Sequence, residues 1–591
     1  MNTDKNESTS LNGLVNSPNP EFTKGANYME KTIDDKITTV FCIFDGFGML
    51  EKSPNNCIAL AKMPHFQNLL KTSFWTTLNA DGISVGQEEG LVGNSEVGHM
   101  NLGGLQLVSQ LSYQITQSSL YNFKLDKSRA VDQLINPSEI LQKFKTVHLV
   151  GLFSTGTIHS DMRHWAGAVR NALESKVSNI YLHLITDGRD SDRRSFLESL
   201  ETFKLMFTLE EQEKIQIGSV GGRAYAMDRD NNFEKVFYGM QAMFGESLIK
   251  KTDELRKQYD ISDFKTATHS DKTISLHDAV ETLNNYISDS YTNSIYDEFI
   301  EPIGYKPIVE GDCIWLINFR ADRMRQIIKL LTDYNCDQKN KILAMNDYGI
   351  GETGYSYIFK SQPVVNNFAY YAQKLNKSQL HTAETEKYNH VTYFFNGGKS
   401  EKEKDEEWIL IPSNKLTNHS EKPEMKAKEV LDVVIDGLGK YNYIVVNFAN
   451  PDMVGHCGDI KAGIESMEFL DLQLGRILKA LKSGNHNMLL TADHGNMEFV
   501  GPYKSKGKDL TDTEHNPSPV PMIIVNHDIE LLKGKLKKLT DEYNFAVDKN
   551  LLEKVLNQDN LLTDTELTKD EIPSPDLPLW YAGLLVLALN S

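Results

Sequence analysis

The sequence predicts an α/β protein of two domains, and three observations carry the prediction. Short apolar runs recur along the chain, each ending in small or charged residues: Val40 to Phe44, Val147 to Leu152, Ile180 to Ile185, Ile314 to Phe319, Tyr443 to Phe448 and Met488 to Leu490. Such runs read as parallel strands buried on both faces. Helical patterns lie between them, the clearest being the apolar face Ile464, Met467, Leu470, Leu474, Ile477, Leu478 and Leu481. Finally, 591 residues exceed what one hydrophobic core serves. This alternation builds layers over open parallel sheets, where ligands sit beyond the carboxyl ends of the strands.

Composition narrows the function. A net charge of -19 leaves no dominant basic surface and excludes a nucleic acid as the main ligand. Cys42, Cys57, Cys313, Cys336 and Cys457 are scattered and lack CxxC spacing, which predicts free thiols, a reducing and hence cytoplasmic setting, and no zinc-thiolate site. Residues 1–36 are polar, with no secretory signal, and read as a disordered tail. The apolar stretch Leu577 to Leu589 is shorter than the roughly 20 residues a bilayer requires, so a buried helix or strand is expected and no membrane contact. Ser247 to Asn293, Ser400 to Glu407 and Tyr503 to Asp512 read as surface excursions. No internal repeat is found.

The strand tips carry the chemistry. Val40 to Phe44 delivers Asp45 into Asp45-Gly46-Phe47-Gly48, which by itself reads equally as a simple turn. A later strand ends in Asn450-Pro451-Asp452-Met453-Val454-Gly455-His456, whose carboxylate and imidazole share one face if the segment is helical. Another ends in Asp493-His494-Gly495, and a Pro-flanked loop offers His515. Each residue alone could be a cap or a satisfied core histidine. Together they supply nitrogen and oxygen ligands without sulfur, a set suited to Mn²⁺ or Zn²⁺; two such ions can clamp both oxygens of a phosphoryl transfer.

Gly93-Asn94-Ser95-Glu96-Val97-Gly98-His99 places a serine at a loop-to-helix junction, where free N–H groups favour phosphate. Ser95 reads either as a helix cap or as a nucleophile, and the nearby ligand set would activate the latter. Between Ser95 and the later ligands come Ser154 to Ser160 with His159, Thr186-Asp187-Gly188-Arg189-Asp190, Gly221 to Asp230 with Arg223 and Arg229, and Asn318-Phe319-Arg320-Ala321-Asp322-Arg323. The planar guanidinium fork binds phosphate and carboxylate in pairs, so five arginines at strand ends suit a small, doubly anionic substrate. Surface ion pairs with the neighbouring Asp residues are the alternative.

In this order GNSEVGH, ITDGRD, RAYAMDRD, NFRADR, AETEKY, FFNGG, ADHGNME and the NPxPVP loop after His515 resemble the cofactor-independent phosphoglycerate mutases of the alkaline phosphatase superfamily, from about Ile37 to Val525. The resemblance implies one metal held by Asp452, His456 and His515 and a second held by Asp45, Ser95, Asp493 and His494. The ions implied are manganese, with Mg²⁺, Co²⁺ or Zn²⁺ as alternatives. It implies substrate contacts from His159, Arg189, Asp190, Arg223, Arg229, Arg320, Arg323 and Lys387, with Ser95 as nucleophile and Asp190 and His159 exchanging protons. The implied substrates are 2- and 3-phosphoglycerate, interconverted by a monomer without bisphosphoglycerate. The implied architecture is an alkaline-phosphatase-like α/β sandwich, residues 37–112 and 365–591, interrupted by an α/β transferase domain at 113–364.

The chain departs from the family pattern in several places. Gly104-Leu105-Gln106 replaces a GAGR-like stretch, Ser191-Asp192-Arg193-Arg194 replaces a Pro-containing one, and extra residues fall between Arg229 and Arg320. Neither an ADxAPT-like nor a PxxMTG-like motif follows Val525, which leaves the fold of the last 65 or so residues open. Two rival readings remain: a phosphomonoesterase or phosphodiesterase with the same metal core, which would not need the full arginine set, and a non-enzymatic homologue, which would be marked by loss of one or more metal ligands.

Overall fold

The computed structural model describes residues 36–124, 132–245, 252–261, 265–335, 339–351, 354–360, 363–505, 508–558, 561–562 and 567–591. The predicted tail at 1–36 and Cys336 therefore lie almost wholly outside the described residues; Cys42, Cys57, Cys313 and Cys457 are free thiols.

Two eight-stranded sheets organise an α/β chain. The first runs Glu406–Ile411, Gln379–Glu384, Tyr443–Phe448, Thr39–Phe44, Asn487–Thr491, Val520–Val525, Phe74–Asn79 and Leu577–Pro578. The second runs Ser356–Phe359, Lys341–Asn346, Cys313–Leu316, Thr146–Phe153, Asn179–Thr186, Ile215–Gly222, Ile303–Gly304 and Thr268–His269. The first sheet and its core draw on both ends of the sequence, Val40 to Leu105 and Phe368 to Leu589, whereas the cores around the second use Ile115 to Phe359.

Register explains why distant residues meet. Thr39–Phe44 is buried throughout and lies between two parallel neighbours, Tyr443–Phe448 and Asn487–Thr491. Phe44 pairs with Phe448 and Ile43 with Thr491, so all three strands end level. Asp45, Asp452 and Asp493 follow at one edge. In the second sheet Phe153, Thr186 and Gly222 are likewise level, which places the segments bearing His159, Arg189 and Arg223 together. The sheets are not wholly parallel, as the sequence suggested. Val520–Val525 runs antiparallel to both neighbours, and Ile303–Gly304 runs against Ile215–Gly222.

The helix expected around Met467 spans Ile460–Gly484, with Met467, Leu470, Leu474, Ile477 and Leu481 buried. The segment Ser247 to Asn293 corrects its reading as a surface excursion. Ile274, Leu276, Ala279, Leu283 and Ile287 are buried in the second sheet's core, three of them on the helix Ala279–Thr292 at four-residue spacing. Glu406 also leaves the surface, since its carboxylate accepts a 2.9 Å hydrogen bond from Asn396 Nδ2 in a buried setting. Tyr503 to Asp512 is a hairpin, Gly501–Ser505 with Lys508–Asp512.

The C-terminal segment folds into helices Ile529–Tyr543, Lys549–Leu556 and Tyr581–Leu589. The last is buried on every side. A side chain at Gly583 would come within 2.0 Å of Leu102 O, so glycine lets this helix lie directly on the one that begins at Ser95. Burial of Leu584, Leu585, Leu587 and Leu589 at about 1.5–3 kcal/mol each seats it. Among the described residues no helix is long and apolar enough to cross a membrane.

Glu88 ties the two sheets' surroundings together. It accepts from Thr116 Oγ1 at 2.7 Å and pairs with Arg163 at 2.5 Å, while His164 Nε2 lies 2.9 Å from the same threonine oxygen. Burial pushes His164 down to about 4, so the fold prefers its neutral form. The unfolded chain binds that proton near pH 6.5 and the folded one near 4; this stability is complete above 6.5 and is lost as pH falls through the window, about 3 kcal/mol in all. Melting temperature between pH 7 and 4.5 should fall less steeply in His164→Gln than in the parent, and parallel slopes would refute the assignment.

Candidate active site

Asn94, not Ser95, caps the helix Ser95–Gly104. Its backbone is extended and its Oδ1 accepts from Val97 N at 3.0 Å. Ser95 is the first helical residue, its hydroxyl free for other contacts. Gly98 brings the helix against the Asp493 loop: a Cβ there would stand 2.6 Å from Asp493 O and 2.7 Å from Asp493 Cβ. Gly98→Ala should therefore cost about 1–3 kcal/mol of stability, read as a lowered melting temperature.

Around Ser95 Oγ stand His494 Nε2 at 3.0 Å, Asp45 Oδ1 at 3.3 Å and Lys387 Nζ at 2.6 Å. Lys387 follows the strand Gln379–Glu384 on a short helix and is buried. Its ammonium also lies 2.6 Å from Asp45 Oδ1 and 2.6 Å from Asp452 Oδ2. Burial would lower its pKa, but the carboxylates of Asp45, Asp452 and Asp493 overcome that and raise it, so Lys387 is a fixed cation. The structure thus places this predicted substrate contact beside the serine, away from the arginines.

Asp452, His456 and His515 converge. The helix Asn450–Gly455 carries Asp452, His456 follows as its C-cap, and the three pairwise separations among Asp452 Oδ1, His456 Nε2 and His515 Nε2 are each 3.2 Å. Burial alone would raise the Asp452 carboxyl; Lys387, His456 and His515 hold it far below its usual range. The hydrogen bond to Asp452 raises His456. The His515 ring stacks on His494 with centroids 3.9 Å apart, so the second group adjoins the first.

In that second group Asp493 is fully buried. Its Oδ1 accepts from Gly46 N and His494 N, each at 3.1 Å. Its Oδ2 makes no well-aligned hydrogen bond, and the His99 Nδ1 that stands 3.2 Å from it also lies 2.9 Å from Ser95 O. Burial and the Asp493 charge push the Asp45 carboxyl up, against the pull of Lys387. Asp45 Oδ2 accepts from Asn447 Nδ2 at 2.6 Å. Ligand-capable atoms cluster as Asp452, His494 and His515 and as Asp45, His99 and Asp493.

His99 and Asn447 are residues the sequence reading did not single out. His99 had a visible signal, lying one helical turn beyond Ser95. Asn447 had none. His390 is a third: it lines the open cleft of about 360 Å³ with Asn94, Ser95, Glu96, Asp452, His456 and His515, and its Nδ1 is a buried atom without a hydrogen-bond partner. Burial and the neighbouring His99 and Lys387 push it down to about 3.

The arginines gather at the second sheet. Arg223 is buried, with Nη1 2.5 Å from both Asp187 Oδ1 and Asp190 Oδ2. Asp187 Oδ1 also accepts from the backbone of Arg189 and Asp190, which shapes the loop. Arg320 Nε lies 3.1 Å from Asp322 and Arg229 Nη1 3.8 Å from it; Arg189 faces Glu298 at 3.6 Å. Arg323 donates to Met227 O at 3.1 Å. Its pKa is lowered by burial and then by Arg229, Arg223 and Arg189, the mark of crowded positive charge. His159 lies 3.8 Å from Asp190 Oδ2, and burial with Arg223 brings it down to about 4. None of the five arginines lines the cleft at Ser95.

The two sheets and the carboxylate–imidazole groups give an α/β chain with residues able to hold metal ions, and residues 38–550 match the model of the Metalloenzyme superfamily. The 2,3-bisphosphoglycerate-independent phosphoglycerate mutase of Clostridioides difficile (strain 630) is 36% identical over 507 residues, 83% of this chain and 92% of the relative. That of Mycoplasma mobile is 32% identical over 546 residues, 88% and 98% of the two chains. A solved structure of Leishmania mexicana phosphoglycerate mutase at low cobalt concentration aligns with a TM-score of 0.50 at 25% identity, covering 83% of this chain and 91% of that one. The chain belongs to the 2,3-bisphosphoglycerate-independent phosphoglycerate mutase family.

Proposed function

We propose that the protein interconverts 3-phosphoglycerate and 2-phosphoglycerate through a phosphoserine on Ser95, using two divalent metal ions and no bisphosphoglycerate. The observation that carries the reading is the position of Ser95 Oγ, buried at a helix start within 3.3 Å of a carboxylate, an imidazole and an ammonium. Residues 37–112 with 365–591 form the metal-binding domain and 113–364 the inserted transferase domain.

The donor set fits metal ions. It mixes imidazole and carboxylate without thiolate, and it leaves a buried carboxylate oxygen, Asp493 Oδ2, without a well-aligned hydrogen bond. Asp452, His456 and His515 would hold one ion, and Asp45, Ser95, Asp493 and His494 the other, with manganese the ion expected. Bound there, such ions supply Lewis-acid stabilisation of phosphoryl charge and lower the pKa of the serine hydroxyl.

The chain's own groups do the rest. Lys387 donates to Ser95 Oγ and stabilises negative charge as it develops on that oxygen. Phosphate and carboxylate of the substrate are held by Arg189, Arg223, Arg229, Arg320 and Arg323. Deprotonated Ser95 Oγ attacks phosphorus and the glycerate oxygen leaves; the Asp190–His159 pair, which enters the cycle holding one transferable proton, gives it to that oxygen, and after the glycerate turns the pair recovers a proton from the other hydroxyl as it attacks the phosphoserine and Ser95 Oγ leaves deprotonated. Because the arginines stand away from the Ser95 cleft, closure of the domains must unite them, and closure also keeps water from the phosphoserine.

A coupled enolase assay tests this. Formation of 2-phosphoglycerate without added bisphosphoglycerate is expected, with negligible free phosphate. Free phosphate without 2-phosphoglycerate would make the protein a hydrolase, and an absolute bisphosphoglycerate requirement would refute the reading outright.

A further inference from the structure

His159 stands between two carboxylates, only one of which has a place in the proposed chemistry. Asp190 Oδ2 is 3.8 Å from Nε2; on the opposite side Asp322 Oδ1 is 3.8 Å from Nδ1. Nδ1 of His159 is buried without a hydrogen-bond partner, and Oδ1 of Asp322 is buried and accepts no hydrogen bond, although Arg320 Nε stands 3.1 Å from it. Leaving a buried polar atom unsatisfied costs about 1–3 kcal/mol, so the unpaired His159 nitrogen that faces this carboxylate calls for a functional explanation. The gap is too wide for a hydrogen bond as it stands, and catalytic contacts commonly tighten only when substrate binds.

The charged groups that act most strongly on His159 come from three strand ends. Arg223 approaches from the end of the strand Ile215–Gly222, Asp190 from the loop after Asn179–Thr186, and Arg320 and Asp322 from the loop after Cys313–Leu316. Burial and the two arginines favour a neutral ring, against the pull of Asp322 and Asp190. A neutral imidazole carries one proton, and its position decides which nitrogen is basic.

We propose that Asp322 is a positioning residue for His159: it accepts the Nδ1 proton, fixing the tautomer that turns a basic Nε2 toward Asp190 and the bound glycerate. This rests on the mutase reading above. Until substrate binds, the same carboxylate also lies against Arg320 and Arg229, occupying guanidinium groups that the substrate's anionic groups would use. Asp322 is therefore both an aid to proton transfer and a competitor for binding.

The two roles give a signature that loss of structure would not. In the full-length, metal-loaded protein with ¹⁵N-labelled histidine, His159 assigned by its substitution should carry its proton on Nδ1, and Asp322→Ala should shift the population toward Nε2. Turnover should fall about 100-fold in Asp322→Ala and in the isosteric Asp322→Asn, while KM stays level or drops. The acid limb of the pH–rate profile should move to lower pH, because removing a negative charge disfavours the imidazolium. An unchanged tautomer in Asp322→Ala, or a rise in KM that accounts for the lost kcat/KM, would overturn the proposal. The nitrogen spectrum does not depend on turnover, so a parent protein that makes no 2-phosphoglycerate would sink the mutase reading while the Asp322 pairing is still judged.

Discussion

Ser95→Ala should lower mutase turnover by about 10⁵-fold or more while the protein melts at nearly the parent temperature. The activity loss follows because, among the described residues, Ser95 is the hydroxyl placed between Asp45, His494 and Lys387. Retained folding follows from the local structure: Asn94 holds the cap, Ser95 occupies a helical position, and alanine is the better helix former there. Lys387 loses one hydrogen bond but keeps Asp45 and Asp452. Mass spectrometry of protein quenched during turnover should find phosphate on the peptide containing residue 95 in the parent and none in the variant. Activity within tenfold of the parent would remove Ser95 from the mechanism.

Stripping divalent ions should abolish turnover, by at least about 10³-fold, and Mn²⁺ should restore it. Asp45, Asp452 and Asp493 are buried together, and the single ammonium of Lys387 does not balance three carboxylates, one of which leaves its Oδ2, in Asp493, without a well-aligned hydrogen bond. Asp452→Asn and Asp493→Asn should each remove one of two bound equivalents by elemental analysis, since each residue belongs to a different proposed group. Full activity in protein whose metal content falls below a tenth of an equivalent would contradict the proposed chemistry.

Asp45, Asp452, His456, Asp493 and His494 are legible because each follows closely on an apolar run that reads as a buried strand, whereas Ser95 begins a helix and His515 lies on a loop. With Phe44, Phe448 and Leu490 read as strand ends, the residues after them share an edge; the third strand in fact runs one residue further, to Thr491. What could not be read was partnership across space. Asp322 lay in plain view within Asn318 to Arg323, yet nothing local says that its carboxylate faces His159, more than 150 positions earlier. Asn447 hides in a strand for the same reason. His99 was readable as Ser95 plus one turn, provided the helix was taken to run through Gly98. The buried helix Tyr581–Leu589 has no polar face, so its sequence shows no helical period, and the stretch was left open between helix and strand. In Ser247 to Asn293 the many polar residues hid a real four-residue spacing at Ala279, Leu283 and Ile287.

Retention of one substrate molecule throughout the transfer can be measured by crossover. A mixture of unlabelled 3-phosphoglycerate and 3-phosphoglycerate carrying ¹³C in the glycerate and ¹⁸O in the phosphate is converted, and the 2-phosphoglycerate is weighed. The arginine grip and the closed site predict that the two labels remain in the same molecules through many turnovers. Product bearing one label without the other would mean that glycerate leaves while the phosphate stays on the protein, and would contradict transfer within a single retained substrate.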